Sequence, residues 1–261
     1  MNLSLVNKNA LVGGASAGIG RAVALELAAL GANVTLVART EGTLQAALEE
    51  LDKSKGQQHG YLVADFDDSQ ILLTKITELL LAKPVHILVN NTGGPPGGPI
   101  TGAKPEDFLR AYHNHLICNQ LLAQAVLPGM KESGYGRIIN IISTSVKEPL
   151  ENLGVSNTTR WAVASWAKTW SNEVGAFGIT VNNVLPGYTG TGRLREIIEK
   201  RAAASAIPVE TIENQFRSQV PLRRFAEPAE VAAAVAFLAS PAAGYINGIN
   251  LPVDGGRTRS L

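Results

Sequence analysis

The chain predicts a doubly wound α/β fold: one parallel sheet of about seven strands in a single domain, with helices on both faces. Three observations carry this. Asn9 to Arg39 reads strand, glycine turn, helix, strand. Short apolar runs then keep alternating with helix-length segments, and no shift in composition marks a second domain among the 261 residues.

In the first unit, Ala10, Leu11 and Val12 lead into the turn Gly13-Gly14-Ala15-Ser16-Ala17-Gly18-Ile19-Gly20. Ile19, Val23, Leu27 and Leu30 then recur at helical spacing, Gly31 ends the helix, and Val34 to Ala38 form the second strand. Such a unit sets a pyrophosphate on the amides of a helix N-terminus. Gly14 permits the tight turn, Gly18 clears the side chain where backbone approaches phosphate, and Gly20 lets the helix pack on the sheet. No Gly-Lys-Ser/Thr follows, so a Walker loop is not expected. A glycine-rich turn that serves packing alone is the competing reading.

Arg39 and Thr40 follow the second strand, where an acidic residue would bind the ribose diol of NAD. A guanidinium fork and a hydroxyl suit a 2′-phosphate instead, so NADP(H) is favoured over NAD(H). A solvated surface arginine is the alternative. Next come a helix over Thr43 to Lys55, a third strand over Gly60 to Ala64 ended by Asp65, a helix over Ser69 to Ala82 and a fourth strand over His86 to Asn90. Asn90-Asn91-Thr92-Gly93 closes that strand, and a Gly/Pro-rich segment runs on to Gly102. It lies at the carboxyl ends of the strands, where open α/β sheets bind ligands. Close cofactor approach and a plain connecting loop both fit it.

The net charge of +1 gives no reason to expect a nucleic-acid or anionic-membrane partner, and 45% hydrophobic residues supply one substantial core. Met1 to Lys8 lacks a signal-peptide pattern, and there is no run of about 18 apolar residues. Cys118 is the single cysteine, which excludes an internal disulfide and gives no cysteine cluster for a metal. A soluble cytoplasmic protein with a small-molecule substrate and no metal site is expected.

The motifs, in this order, resemble those of the short-chain dehydrogenase/reductase family. Gly14-x-x-x-Gly18-x-Gly20 is similar to its cofactor turn, Asp65 to its adenine contact, and Asn90-Asn91-Thr92-Gly93 to its Asn-Asn-Ala-Gly motif. The resemblance continues through Gly136 to Ser143, Val181 to Gly187, Arg224 to Pro228 and Val253 to Gly256. It implies a Rossmann-type domain that binds NADP(H). Gly14, Ser16, Gly18, Ile19, Gly20 and Arg39 would line the diphosphate and adenosine end. Asp65, Asn91, Gly93, Arg160, Pro186, Gly187 and Thr191 would reach the remainder. It also implies a homodimer or homotetramer, often paired through the helix that here spans Asn157 to Phe177. Trp161, Trp166 and Trp170 on that helix are then either core or subunit interface.

Relatives reduce a carbonyl or oxidise an alcohol with four residues. A serine holds the substrate oxygen, a tyrosine moves the proton, a lysine lowers the tyrosine pKa and binds the nicotinamide ribose, and an asparagine orders a relay. Ser143 matches the serine. Family spacing counted forward from Ser143, or back from Gly178 and Pro186-Gly187, sets the tyrosine position on Ser156 and the lysine position on Arg160. Counted back from Leu127-Pro128, the asparagine position is His115, and no Tyr-x-x-x-Lys occurs. A phenol titrates near ~10, whereas a serine hydroxyl is shorter and a much weaker acid. Arg160 keeps its charge and could hold a ribose hydroxyl, but it cannot shed its proton into a relay. His115, with a reference pKa of ~6.5 and His113 nearby, and Tyr188 after Pro186-Gly187 are candidate replacement donors. A packed helix histidine and an aromatic loop wall are their competing roles.

The segment from 188 to 221, with Thr189, Arg193, Arg195 and a helix over Glu196 to Ser205, is long for a connection and reads as a lid. Pro228 to Ala239 and Ile249 to Val253 supply the closing helix and strand. The expected protein is a divergent oxidoreductase that moves a hydride to or from a small carbonyl or alcohol. Ser143, Ser156, Arg160 and His115 would surround the reacting group. The rivals are an NADP(H)-binding sensor or scaffold that has lost the reaction, and a dimerisation module without cofactor.

Overall fold

The computed structural model describes Met1–Ser260. Strands β1 (Asn9–Gly13), β2 (Asn33–Ala38), β3 (Gly60–Val63), β4 (Ile87–Asn90), β5 (Gly136–Ile141), β6 (Ile179–Pro186) and β7 (Asn250–Val253) form one parallel sheet. Their order is β3-β2-β1-β4-β5-β6-β7. The chain builds outward from β1 to β3, then returns to lay β4 on the other side of β1. At that reversal the outgoing loops part to opposite faces and leave a crevice at the carboxyl ends of β1 and β4.

Side chains alternate across the pleat, so neighbours in one strand serve different cores. Val12, Val34 and Leu36 face helices α1 (Gly18–Ala29) and α9 (Pro228–Ala239), where Val23 and Leu27 meet Val231 and Val235. Leu11, Leu88, Ile138 and Val181 face α3 (Ser69–Ala82), α5 (Cys118–Ser133) and α6 (Gly154–Val174), which contribute Leu72, Ile76, Val126, Met130 and Trp170. Burial on both faces explains why the central strands read as continuous apolar runs.

Helix ends follow capping chemistry. The Asp68 carboxylate accepts the Ile71 amide at 3.0 Å, which starts α3 at Ser69 as the sequence predicts. Pro228 with the reciprocal Glu227 and Glu230 contacts does the same for α9. The helix expected over Thr43 to Lys55 is instead α2 (Glu41–Glu49). An Asp52–Ser54 turn and Gly56 at φ +78° take the chain out of helical geometry. The helix expected from Asn157 starts earlier, at Gly154, and its last residues form a tighter turn over Gly175–Phe177.

Two features exceed the sequence reading. α4 (Pro105–Tyr112) runs into α5 through a π-helical turn over His113–Ile117. The segment after β6 holds two helices, α7 (Gly192–Ser205) and α8 (Val209–Ser218), with a satellite core of Leu194, Ile198, Ile212 and Phe216. Among the described residues, no helix is long and apolar enough to cross a membrane.

A ladder of asparagine amides crosses the strands. Asn90, Asn140, Asn183 and Asn250 occupy matching register positions on β4 to β7. Each Nδ2 donates to the next Oδ1 at 2.8 Å. Asn90, Asn140 and Asn183 are buried, so their amides have no water to turn to. Asn140→Ala removes two of these bonds and orphans a donor on Asn90 and an acceptor on Asn183. Urea denaturation is expected to show a loss of about 3 kcal/mol, against about 1 kcal/mol for Asn250→Ala, which removes a single bond at the exposed edge.

Candidate functional site

The crevice floor is the glycine turn. Gly14 and Gly18 have φ of +56° and +55°, a region that side chains oppose. A Cβ on Gly14 would lie 2.7 Å from the Asn91 amide nitrogen, and one on Gly20 would overlap the Gly14 carbonyl. The close approach is held by Asn91, whose Nδ2 donates to the Gly13 carbonyl at 3.1 Å. Ala15 N–H donates to the Val37 carbonyl at 3.2 Å and ties the turn to β2. Ser16 and Ile19 are half-buried in the same turn. α1 starts with no side-chain cap and no acidic residue in its first turn, so its leading amides stay available to an anion.

The other expected cofactor residues ring this turn. Thr191 stands over Gly18, where a Cβ would meet its methyl at 3.3 Å, while its hydroxyl oxygen accepts the Leu194 amide at 3.4 Å and caps α7. Pro186 ends β6, and Gly187 N–H donates to the Val253 carbonyl at 2.9 Å. Arg39 is exposed beyond β2. Asp65, half-buried beyond β3, accepts the Asp67 amide at 3.0 Å. Gly93 is exposed, with open space where a side chain would stand.

The expected reacting residues lie just past β5, in the first two turns of α6 and on the turn between α4 and α5. Ser143 follows β5, and its oxygen accepts the Ser145 amide at 3.0 Å, leaving its own proton to donate. Ser156 and Arg160 are one turn apart on α6 (Gly154–Val174), with Ser156 half-buried and Arg160 only 8% exposed. Arg160 Nη1 donates to the Ile141 carbonyl at 2.9 Å, while its buried Nε has no partner. Burial, then the charge of Arg193, push its pKa down to about 10, which still leaves it charged at neutral pH.

His115 sits on the π-helical turn, 4% exposed, with Nδ1 2.7 Å from the Thr92 hydroxyl. Burial, followed by repulsion from Arg160, pulls its pKa down to about 2. It is a neutral imidazole and not the acid the sequence reading considered. The cause is that the helix turns it inward, where a charge would lose its hydration. His113 is half-buried with Nε2 unpartnered. Tyr188, the other candidate donor, gives its hydroxyl proton to Gln219 Oε1 at 2.9 Å. Its ring packs on Phe216 at 4.7 Å between centroids and under the Arg257 guanidinium at 4.6 Å. It therefore builds the wall between α8 and the C-terminal turn.

Trp166 and Trp170 both donate to Gln120 Oε1, at 2.7 and 2.9 Å, and lock α6 to α5. Trp161 donates to the Ser145 carbonyl at 2.9 Å, and its residue is exposed. The sequence places Thr92 in a motif and Arg193 in the segment from 188 to 221, but gives neither a contact in the site. Thr92 carried a signal: it and His115 both depart from the family motifs, and here they touch. Arg193, whose Nη2 donates to the Pro95 carbonyl at 2.8 Å, had no signal beyond its charge. No group of three or more His, Cys, Asp or Glu suited to a metal occurs among the described residues.

A family model described as Enoyl-(Acyl carrier protein) reductase matches residues 14–258. The 3-oxoacyl-[acyl-carrier-protein] reductase FabG of Pseudomonas aeruginosa is 34% identical, over 97% of this chain and 98% of its own. The L-sorbose reductase of Gluconobacter frateurii, solved with NADPH and L-sorbose, superposes with a TM-score of 0.93 at 28% identity over all of both chains. YwfH, an NADPH-dependent reductase involved in bacilysin biosynthesis, gives a TM-score of 0.90 at 28% identity over 97% of this chain and 99% of its own.

The neutral His115 makes stability depend on pH. Its folded pKa is depressed, so below pH ~6.5 the unfolded chain takes up a proton that the folded chain refuses. Stability is then lost as pH falls, by about 1.4 kcal/mol per pH unit, or about 2 kcal/mol between pH 6.5 and 5. Burial depresses His86 and His59 in the same direction and adds to the slope. Urea titrations at the two pH values should show this loss in the wild type and a shallower one in His115→Asn.

Proposed function

The chain belongs to the short-chain dehydrogenase/reductase family, and on that premise we propose that it is an NADP(H)-dependent oxidoreductase of a small carbonyl or alcohol substrate. The observation that carries this reading is the cradle. Side chains are excluded at Gly14 and Gly20, and the first amides of α1 are uncapped. A diphosphate is the group such a turn suits. Gly14, Ser16, Gly18, Ile19 and Gly20 would hold it, with Arg39 at a 2′-phosphate and Asp65 at the adenine. Asn91, Gly93, Arg160, Pro186, Gly187 and Thr191 would hold the rest. The preference for NADP(H) rests on the guanidinium after β2 and accords with the NADPH named for both solved relatives.

The bound nicotinamide supplies or takes the hydride. The chain's own groups do the positioning. The Ser143 hydroxyl is free to donate to a substrate oxygen, and Ser156 offers a second, weaker donor. Arg160 adds a fixed charge that can hold a ribose hydroxyl. We read the chain as divergent because Ser156 and Arg160 stand at the tyrosine and lysine positions of relatives. α7 and α8 would act as a lid over 188–221: Thr191 covers Gly18, and Arg193 bridges to Pro95. Self-association into a homodimer or homotetramer follows from the family alone.

A second reading, an NADP(H)-binding sensor or scaffold with impaired catalysis, is favoured by one observation. Of the two candidate donors, His115 is held neutral and Tyr188 is engaged with Gln219.

Titration of NADPH and NADH by fluorescence tests the cofactor. NADPH should bind at least tenfold more tightly, and Arg39→Ala should erase about 1.4 kcal/mol of that advantage while leaving NADH within twofold. Equal affinities in the wild type overturn the assignment, and no binding of either removes the cradle reading. Turnover assays across ketones, aldehydes, quinones and acyl thioesters separate enzyme from sensor. Ser156→Tyr with Arg160→Lys should create or raise ketone reduction; no gain with cofactor binding intact means the pocket has diverged beyond those two groups.

A further inference from the structure

Arg160 is a buried cation without a counterion. Its guanidinium has five N–H donors, of which Nη1 is used on the Ile141 carbonyl and Nε faces no partner. No carboxylate acts on it; burial and a second cation, Arg193, are what perturb it. Both guanidiniums converge on one stretch of backbone after β4. Arg193 Nη2 donates to the Pro95 carbonyl at 2.8 Å, and a Cβ on Gly94 would lie 3.7 Å from Arg160 Nη2. Thr92, His115 and Ser156 bring no negative charge to Arg160, while Arg193 Nη1 lies 3.7 Å from the exposed Glu196 carboxylate. An isolated buried cation is expensive, and folds normally pair it or leave it out. Where one persists in a crevice, a ligand that completes the pair is the economical explanation.

We propose that the substrate is itself an anion, a 2-oxo or 3-oxo carboxylic acid or the matching hydroxy acid, whose carboxylate is received by Arg160 with Arg193 behind it. This rests on the oxidoreductase reading above and narrows its substrate class. Ser143 lies two residues beyond Ile141, whose carbonyl anchors Arg160, so both groups stand at the carboxyl end of β5. A compound with its carbonyl next to, or one carbon from, its carboxylate spans such a pair of anchors. A ribose hydroxyl takes one or two of the five donors, which leaves the planar fork able to serve both.

The test measures binding directly by calorimetry, with and without saturating NADPH, for pyruvate and acetoacetate against their methyl esters. At least one acid should bind tenfold or more tightly than its ester. That advantage should vanish in Arg160→Met, fall several-fold in Arg193→Met and shrink with added salt. Should Arg160→Met not fold, Arg193→Met and the acid-to-ester ratio of the wild type decide. Acids that bind no better than their esters, or that keep their advantage in Arg160→Met, overturn the proposal. Acids displaced by NADPH also overturn it, because the anion would then be the cofactor's phosphate. A wild type that binds an acid but no NADPH refutes the cofactor reading and leaves the carboxylate site standing.

Discussion

Asn91 leaves the end of β4 and gives its amide hydrogen to the Gly13 carbonyl at the end of β1, which pins together the two strands on either side of the sheet's reversal. The rest of the crevice depends on that closeness. The turn after β1 can approach Asn91 only because Gly14 has no side chain, and α1 can approach the turn only because Gly20 has none. Those contacts fix where the first amides of α1 point and set Gly18 beneath Thr191 at the start of α7. Three separate pieces of chain thus meet at one turn whose shape is decided by absent atoms.

Much of this was legible beforehand, for local reasons. The helix over Ser69–Ala82 begins at an aspartate cap and that over Pro228–Ala239 at a proline, and such signals are written next to the residues they govern. The strands were legible because burial on both faces leaves apolar runs. What escaped was not local. The π-helical turn at His113–Ile117 leaves no compositional mark, since it changes the hydrogen-bond partner and not the residue type. α8 went unread although Ile212 and Phe216 recur at helical spacing; they pack on Leu194, Ile198 and Ala202 of α7. Thr92 and His115 are far apart in sequence, and only the fold shows that they touch.

The electrostatics of the pocket follow from this packing. The inward turn of the helix buries His115, burial strips its charge, and Arg160 reinforces the loss. The result is a neutral imidazole beside a charged guanidinium. Tyr188 is no substitute acid, because its hydroxyl is bonded to Gln219 and its ring packs on Phe216 of α8.

The amide ladder across β4 to β7 has a consequence for how such a chain can vary over generations. Each rung requires its asparagine on the same face and at the same height as the next, and strand side chains swap faces with every residue. Inserting or deleting one residue within β5 or β6 would turn the amides beyond it to the opposite face and break the series. Length changes are therefore confined to the connections, where the crevice is walled. Pocket shape is left open to drift while the frame beneath it is held to whole-number steps.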